Sequence, residues 1–451
     1  MVKKENIASQ IFQETLNIYY FCTRKLKFQM KKIHEMNTFR AFRSTDYTLY
    51  LTGRAISQFG TIMQQTAVVW VIYTITHSPF MLGVTVFAEQ FPAFLLSIFG
   101  GAAADRYSRY KIVNITQIAS MIQAILLAIL VLANRYIVWE ILALSVILGI
   151  INAFDVPARQ TMIHDVLYDE ADLSSALSLS SSTASLARLV GPALSGIILE
   201  KFGAGVCFLI NAISFGGIIV SLAFMKQPKA TKPLGSNKNV WTELAEGFIY
   251  IRHTSAIAVI IMMVAVFGLL VMPYTTLLPV FAKVVFQGNA TTFGYITSFI
   301  GAGSIAGTIF IASLKENAPL RKILLGFNIV LGIALIGFSQ ISNFPIAMVL
   351  AVLIGFGAVA QFTTSNIIVQ SESDPGMRGR VISILIMAMF GTTPLGSVVV
   401  GAVSQKIGAP NTLLFEGILG LCIVLLFYYL MKKVETKNKR SKQEVEKNHN
   451  L

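Results

Sequence analysis

The sequence predicts an all-α membrane protein with twelve transmembrane helices in two pseudo-symmetric six-helix bundles. Three observations carry this expectation. Only 13% of the 451 residues are charged and 55% are hydrophobic, against roughly 25% charged in soluble globular chains. Apolar runs recur that reach the about 20 residues a helix needs to cross a hydrocarbon core about 30 Å thick, with no sign of the short alternating segments of a β-barrel. The chain also repeats itself. Asp169 and Asp374 stand 205 positions apart, and the same offset pairs Ser178 with Ser383, Gly191 with Gly396, Gly196 with Gly401, Lys201 with Lys406 and Gly203 with Gly408. One offset shared through two spans and their loop indicates duplication, and parallel six-span repeats are a recognised transporter plan.

Residues 1–46 form a basic, weakly amphipathic arm in which Arg24, Lys25, Lys27, Lys31 and Lys32 cluster. It reads either as an arm lying on anionic lipid or as an extension upstream of a working start at Met30 or Met36. No cleavable signal peptide is expected, because the arm lacks a continuous apolar core and a small-residue cleavage site. The first bundle, 47–226, holds spans at 47–75, 80–102, 110–134, 137–157, 173–200 and 204–226. The linker, 227–255, carries Pro228, Pro233 and Gly235. Its second part places Trp241, Leu244, Phe248 and Ile251 at helical spacing, which predicts a helix lying in the interface plane. The second bundle, 256–431, holds spans at 256–283, 290–314, 320–341, 344–366, 380–405 and 410–431, followed by a basic tail, 432–451. Pro273 and Pro279 should kink span seven, and Gly303 with Gly307 forms a close-packing face on span eight.

The net charge of +14 would suggest nucleic acid as a partner in a soluble chain, but its placement points to lipid. With the N-terminus inside, 30 of the 36 lysines and arginines fall on inner segments; the outer loops carry only Arg135, Lys201, Lys283 and Lys406. The excess of cations marks the cytoplasmic side, so both termini are expected in the cytoplasm of a multi-pass protein of the inner (plasma) membrane. Cys22, Cys207 and Cys422 lie in or beside apolar segments without metal-ligand spacing and read as small buried side chains. The five histidines are dispersed. No catalytic constellation, phosphate-binding loop, cofactor or metal site is evident.

Polar groups inside a bilayer are costly and are functional hypotheses by default. Arg54, Ser57, Gln58, Thr61 and Gln65 follow steps of three or four along span one and form one polar stripe, which faces a water-filled cavity or bonds neighbouring helices. Glu89 lies midway along span two. It suits a proton-exchanging carboxyl near neutral pH, or a permanent counter-ion for Arg54. Arg188, in the middle of span five, needs an anion, either the substrate or a carboxylate such as Glu89. Glu140 reads as interfacial. Asp155 and Arg159, around Pro157, read as gate or turn residues at the end of span four, and Glu416 as a weaker proton site.

A charged turn interrupts the apolar pattern between spans two and three. Its Gly101, Asp105, Arg106, Arg109 and Lys111 resemble the loop signature of the major facilitator superfamily, Gly-x-x-x-Asp-Arg-x-Gly-Arg-Arg, with Ser108 and Tyr110 as departures. The resemblance covers about residues 40–432. Within the superfamily the chain is similar to the twelve-span efflux branch of enterobactin exporters and macrolide efflux proteins. The residues that carry this are Phe39-Arg-Ala-Phe-Arg43, Pro157-Ala-Arg159, Arg188 with Gly191-Pro192, and Arg378-Gly-Arg380. The antiporter signature of span five, Gly-x-x-x-Gly-Pro-x-x-Gly-Gly, is met at Gly191 and Pro192 but departs at Ala187 and at Gly196, one place late, which weakens an antiport reading.

The resemblance implies a monomeric secondary transporter that exports a small amphiphilic solute by alternating access, in exchange for protons. Glu89 would be the coupling carboxyl, and Arg54, Gln58, Gln65 and Arg188 would line the cavity. The loop would be a conformational gate in which Asp105 meets a basic group near spans four, five or eleven, with Arg378 and Arg380 as candidates. The alternatives are a facilitator or importer of another solute or a lipid, and a non-transporting scaffold or sensor.

Overall fold

The computed structural model describes residues 37–134, 137–225, 240–315 and 317–449. The arm before residue 37 and the linker stretch 226–239, with its prolines, lie outside the described residues, as do Cys22 and Arg135. A short 3-10 turn, Asn37–Arg43, leads into thirteen helices: α1 (Thr45–Thr76), α2 (Pro79–Arg106), α3 (Arg109–Leu132), α4 (Val138–Asp165), α5 (Leu173–Phe202), α6 (Ala204–Phe224), α7 (Val240–His253), α8 (Ser255–Leu270), α9 (Ala290–Ala312), α10 (Leu320–Gln340), α11 (Phe344–Glu372), α12 (Arg378–Ile407) and α13 (Ala409–His449). Spans one to six are α1–α6, and spans seven to twelve are α8–α13. The described residues contain no strand.

Local chemistry sets the helix ends. The Ser44 and Ser78 hydroxyls cap α1 and α2, with Pro79 in the first turn of α2, and the Asn289 and Asn343 side chains cap α9 and α11, in each case satisfying a backbone N–H that has no partner within the helix. Helices α5 and α12 both stop at a glycine with positive φ, Gly203 at 82° and Gly408 at 83°. A side chain there would be strained, and the two positions are repeat partners.

Eleven of the described helices are long and apolar enough to cross a membrane. The remaining span is α1, whose 32 residues reach across but whose polar stripe lowers its hydropathy. It is held by packing along α6 and α5. Span four runs further than its sequence suggests, through Pro157 to Asp165. Asp155 and Arg159 therefore sit one helical turn apart and not in a turn. Span seven is broken: α8 ends at Leu270, a 3-10 stretch covers Met272–Leu277, and a π-helical turn covers Phe281–Val285. Pro273 and Pro279, which cannot donate the backbone bonds of a regular helix, stand at these breaks.

Two seams join the halves, α2 against α12 and α5 against α9, and they are repeat-related. A Cβ at Gly83 would overlap the carbonyl of Ser397, and one at Gly294 the carbonyl of Pro192; Gly401 meets the backbone of Pro79 as Gly196 meets that of Ala290. These approaches cluster at the end of the bundle far from the termini. There Ser78 bonds Gln405 at 2.8 Å, Asn289 bonds Glu200, and the rings of Trp70 and Phe293 stack with centroids 6.0 Å apart. At the terminal end, Arg40 pairs with Asp172, Arg109 with Asp165, Arg321 with Glu372 and Arg380 with Glu246. Each of these pairs joins elements of one half. The close approaches between the halves thus lie at the far end, while at the terminal end Asp105 of α2, Ser181 of α5 and Arg378 of α12 are exposed.

Gly303 and Gly307 lie against the backbone of Val352 and Phe356, packing α9 on α11. The amphipathic α7 lies on α12 through Gly247 and the Glu246–Arg380 pair; Ile251 is buried, while Phe248 stays exposed. Cys207 is buried as expected, but Cys422 is exposed on α13, because its helical face turns away from the bundle.

Candidate functional site

The cleft between the halves is lined on one side by α1 and α2. Gln65, exposed to the cleft, donates from Nε2 to Oε1 of the half-buried Glu89 at 2.9 Å. Glu89 therefore takes an amide of the polar stripe as partner, and neither Arg54 nor Arg188. Arg54 interacts electrostatically instead with Asp155 and Tyr50. Asp155 accepts hydrogen bonds at 2.8 Å from the Thr116 hydroxyl and from the Gln117 amide, and its other oxygen lies 2.6 Å from Nε of Arg159. Because α4 continues through Pro157, the expected gate pair forms part of a buried polar cluster inside the N-terminal half, where each charge has an opposite charge nearby.

The polar stripe is only partly a cavity wall. Gln58 is half-buried and Gln65 exposed, but Ser57 is fully buried and turned into the bundle. On α5, Arg188 is exposed and has no hydrogen-bond or ion-pair partner among the described residues. The span-five motif below it is a packing device: Gly191 receives Ile62, and Pro192 and Gly196 form the seam with α9.

The signature loop is split. Arg109 is tied to Asp165 at 2.9 Å, while Asp105, Arg106 and Lys111 are exposed, as is Arg378; Gly101 has open space around it. Among the described residues Asp105 makes no ion pair with Arg378 or Arg380, the candidates from the other half. Arg380 is held 2.6 Å from Glu246 of α7.

Sequence reasoning missed a buried amide chain. Asn211 donates to Gln64 at 2.8 Å and Gln64 donates to Gln123 at 2.9 Å, which joins α6, α1 and α3. The signal was present as isolated amides in apolar runs, but the partners lie 147 and 59 residues apart. Glu416 is buried in the C-terminal half, interacts electrostatically with Tyr274, and has no hydrogen-bond partner among the described residues at either carboxyl oxygen. Among the described residues no three His, Cys, Asp or Glu side chains gather as metal ligands.

A twelve-span helical protein with two repeat-related halves around a polar cleft is a transporter of the major facilitator type. The profile of the transmembrane secretion effector family of that superfamily matches residues 36–450, and the chain belongs to this family. It is 28% identical over 406 residues to the staphyloferrin A transporter of Staphylococcus aureus, covering 89% of this chain and 98% of that one. It is 22% identical to the macrolide efflux protein A of Streptococcus pyogenes, over 87% and 97% of the two chains, and 22% identical to the multidrug efflux pump Tap of Mycolicibacterium fortuitum, over 82% and 92%. The fold is shared with the nucleoside transporter NupG (TM-score 0.70, 13% identity, 85% and 99% of the chains). It is shared also with a bacterial homologue of the lysosomal transporter Spinster, solved inward-facing (TM-score 0.67, 14% identity, 87% and 98%). The chain is a membrane transporter and not an enzyme.

Proposed function

We propose that this protein exports small amphiphilic compounds by alternating access, coupled to proton entry. The observation that supports this reading best is the Gln65–Glu89 pair, a membrane carboxyl whose one hydrogen-bond partner among the described residues is a neutral amide facing the cleft. A carboxyl with a fixed cationic partner would be held charged; one beside an amide is free to exchange its proton as the cleft changes sides. The relatives named for siderophore transport, macrolide efflux and multidrug efflux support the direction and the solute class.

In this reading the terminal end is cytoplasmic, as the lysine and arginine distribution requires, and the protein is a monomer of the inner (plasma) membrane. The bundles 47–226 and 256–431 rock against each other on the two glycine seams, with 227–255 as the tether between them. Arg54, Gln58, Gln65 and Arg188 belong to the cleft. Asp105, with Arg106, Arg109 and Lys111, closes the terminal end by meeting Arg378 or Arg380 once the halves approach.

The test is substrate-driven proton movement in proteoliposomes carrying Glu89→Gln. The expected outcome is binding without proton coupling. Coupling at the wild-type rate would remove Glu89 from the mechanism.

A further inference from the structure

The cleft holds a cation with no counter-charge among the described residues. Arg188 sits near the middle of α5, its carbonyl against Gly301 of α9. At about 100° of rotation per residue, it projects between the face that meets α1, at Gly191 and Ser195, and the face that meets α9, at Pro192 and Gly196. Leu186 and Leu194, both exposed, point away from it toward lipid. Two turns toward the terminal end on the same face, Ser181 is exposed in the open cleft, and beside Gly301 the α9 helix carries Thr297, Ser304 and Thr308.

The three helices around this point hold no carboxylate at membrane depth. From 47 to 76 on α1, 177 to 199 on α5 and 290 to 312 on α9 there is no Asp or Glu. The acidic groups of the cleft have other partners: Glu89, on α2, accepts from Gln65, and Asp155 is occupied by Arg159, Thr116 and Gln117. An arginine at this depth with no counter-ion among the described residues is expensive. Its planar fork of donors matches a carboxylate.

We infer that Arg188 is an anion anchor and that the transported solute is an amphiphile carrying a carboxylate or a similar organic anionic group. This rests on the export reading and narrows it: a solute that is only cationic would be repelled at this wall.

The experiment uses the full-length protein in nanodiscs and three probes of nearly equal shape: 1-pyrenebutyrate, its primary amide, and the corresponding pyrenyl ammonium. Binding is read by pyrene fluorescence. The carboxylate should bind at least tenfold more tightly than either of the others. Arg188→Gln should lose that preference while keeping the affinity for the amide, and Arg188→Lys, which retains the charge but not the fork, should keep part of it. Equal binding of the three probes, binding of none, or an unchanged preference in Arg188→Gln would overturn the anchor. Transport of the same probes in proteoliposomes separates the two claims. A carboxylate preference in binding with no transport under a pH gradient would support the anchor and count against export. Transport of the amide and the ammonium in place of the carboxylate would support export and remove the anchor.

Discussion

The two halves treat the same repeat positions differently. In the N-terminal half, Asn211, Gln64 and Gln123 form a closed chain of amides. At the shared offset of 205, Asn211 becomes Glu416 and Gln123 becomes Asn328. Asn328 is fully buried and donates to the carbonyl of Leu324, but among the described residues its oxygen has no partner, and neither has either oxygen of Glu416. The missing part is the bridge: span seven, residues 255–285, carries no Gln or Asn where α1 has Gln64. The backbone seams survived duplication, since Gly83 and Gly294 make equivalent contacts. The buried side-chain network did not. Backbone approach depends on one small residue per site, whereas a network needs every member at once.

The largest effect should come from breaking what the halves still share. Gly83→Leu or Gly294→Leu would drive a side chain into a carbonyl of the opposite half, and overpacking of this kind costs about 1–3 kcal/mol or more. The far end should then fail to close, which labelling of a far-side cysteine would detect as increased accessibility, with export lost in both variants. Next is the element that belongs to one half alone. Asp105→Asn should abolish export while membrane insertion and yield stay normal; export at the wild-type rate would leave the loop as a topology signal only.

Two smaller changes test the polar contrast itself. Gln64→Leu gives the N-terminal half the defect of the C-terminal one, leaving Asn211 and Gln123 without their bridge. A loss of about 1–3 kcal/mol is expected, seen as a lower thermal midpoint. Glu416→Gln should alter stability by no more than about 1 kcal/mol, in either direction, because it replaces a group whose oxygens already lack partners. A large drop for Glu416→Gln would show that the carboxyl has a structural partner after all.

Much of this was legible in the residue order. The twelve spans, the repeat and the signature loop follow from apolar run length and from spacing along the chain, both local properties. Helix ends were legible to within a few residues except in span four, where Pro157 suggested a stop, in span ten, which runs on to Glu372, and in span twelve, whose helix continues through the expected tail to His449. Packing carried span four on to Asp165 and placed Asp155 and Arg159, expected as gate or turn residues at its end, one helical turn apart in a polar cluster. Glu89 and Gln65 were each legible as polar residues at membrane depth. Their pairing was not read, because Arg54 was weighed as the partner of Glu89; counted from the turn that joins α1 to α2, Gln65 stands level with Glu89, and Arg54 lies about 16 Å further along α1.

By itself, then, the sequence determined that this chain spans a membrane twelve times in two related halves, and which residues are too polar for lipid. Those are consequences of hydrophobic transfer and chain periodicity, which need no partner. Only the tertiary structure decided who meets whom: Asp155 with Arg159, Glu89 with Gln65, Gln64 with two amides from distant helices, and Arg188 with no ion-pair or hydrogen-bond partner among the described residues. Charge pairing depends on distances of a few ångströms between helices far apart in the chain, and no spacing along one strand of sequence encodes those distances.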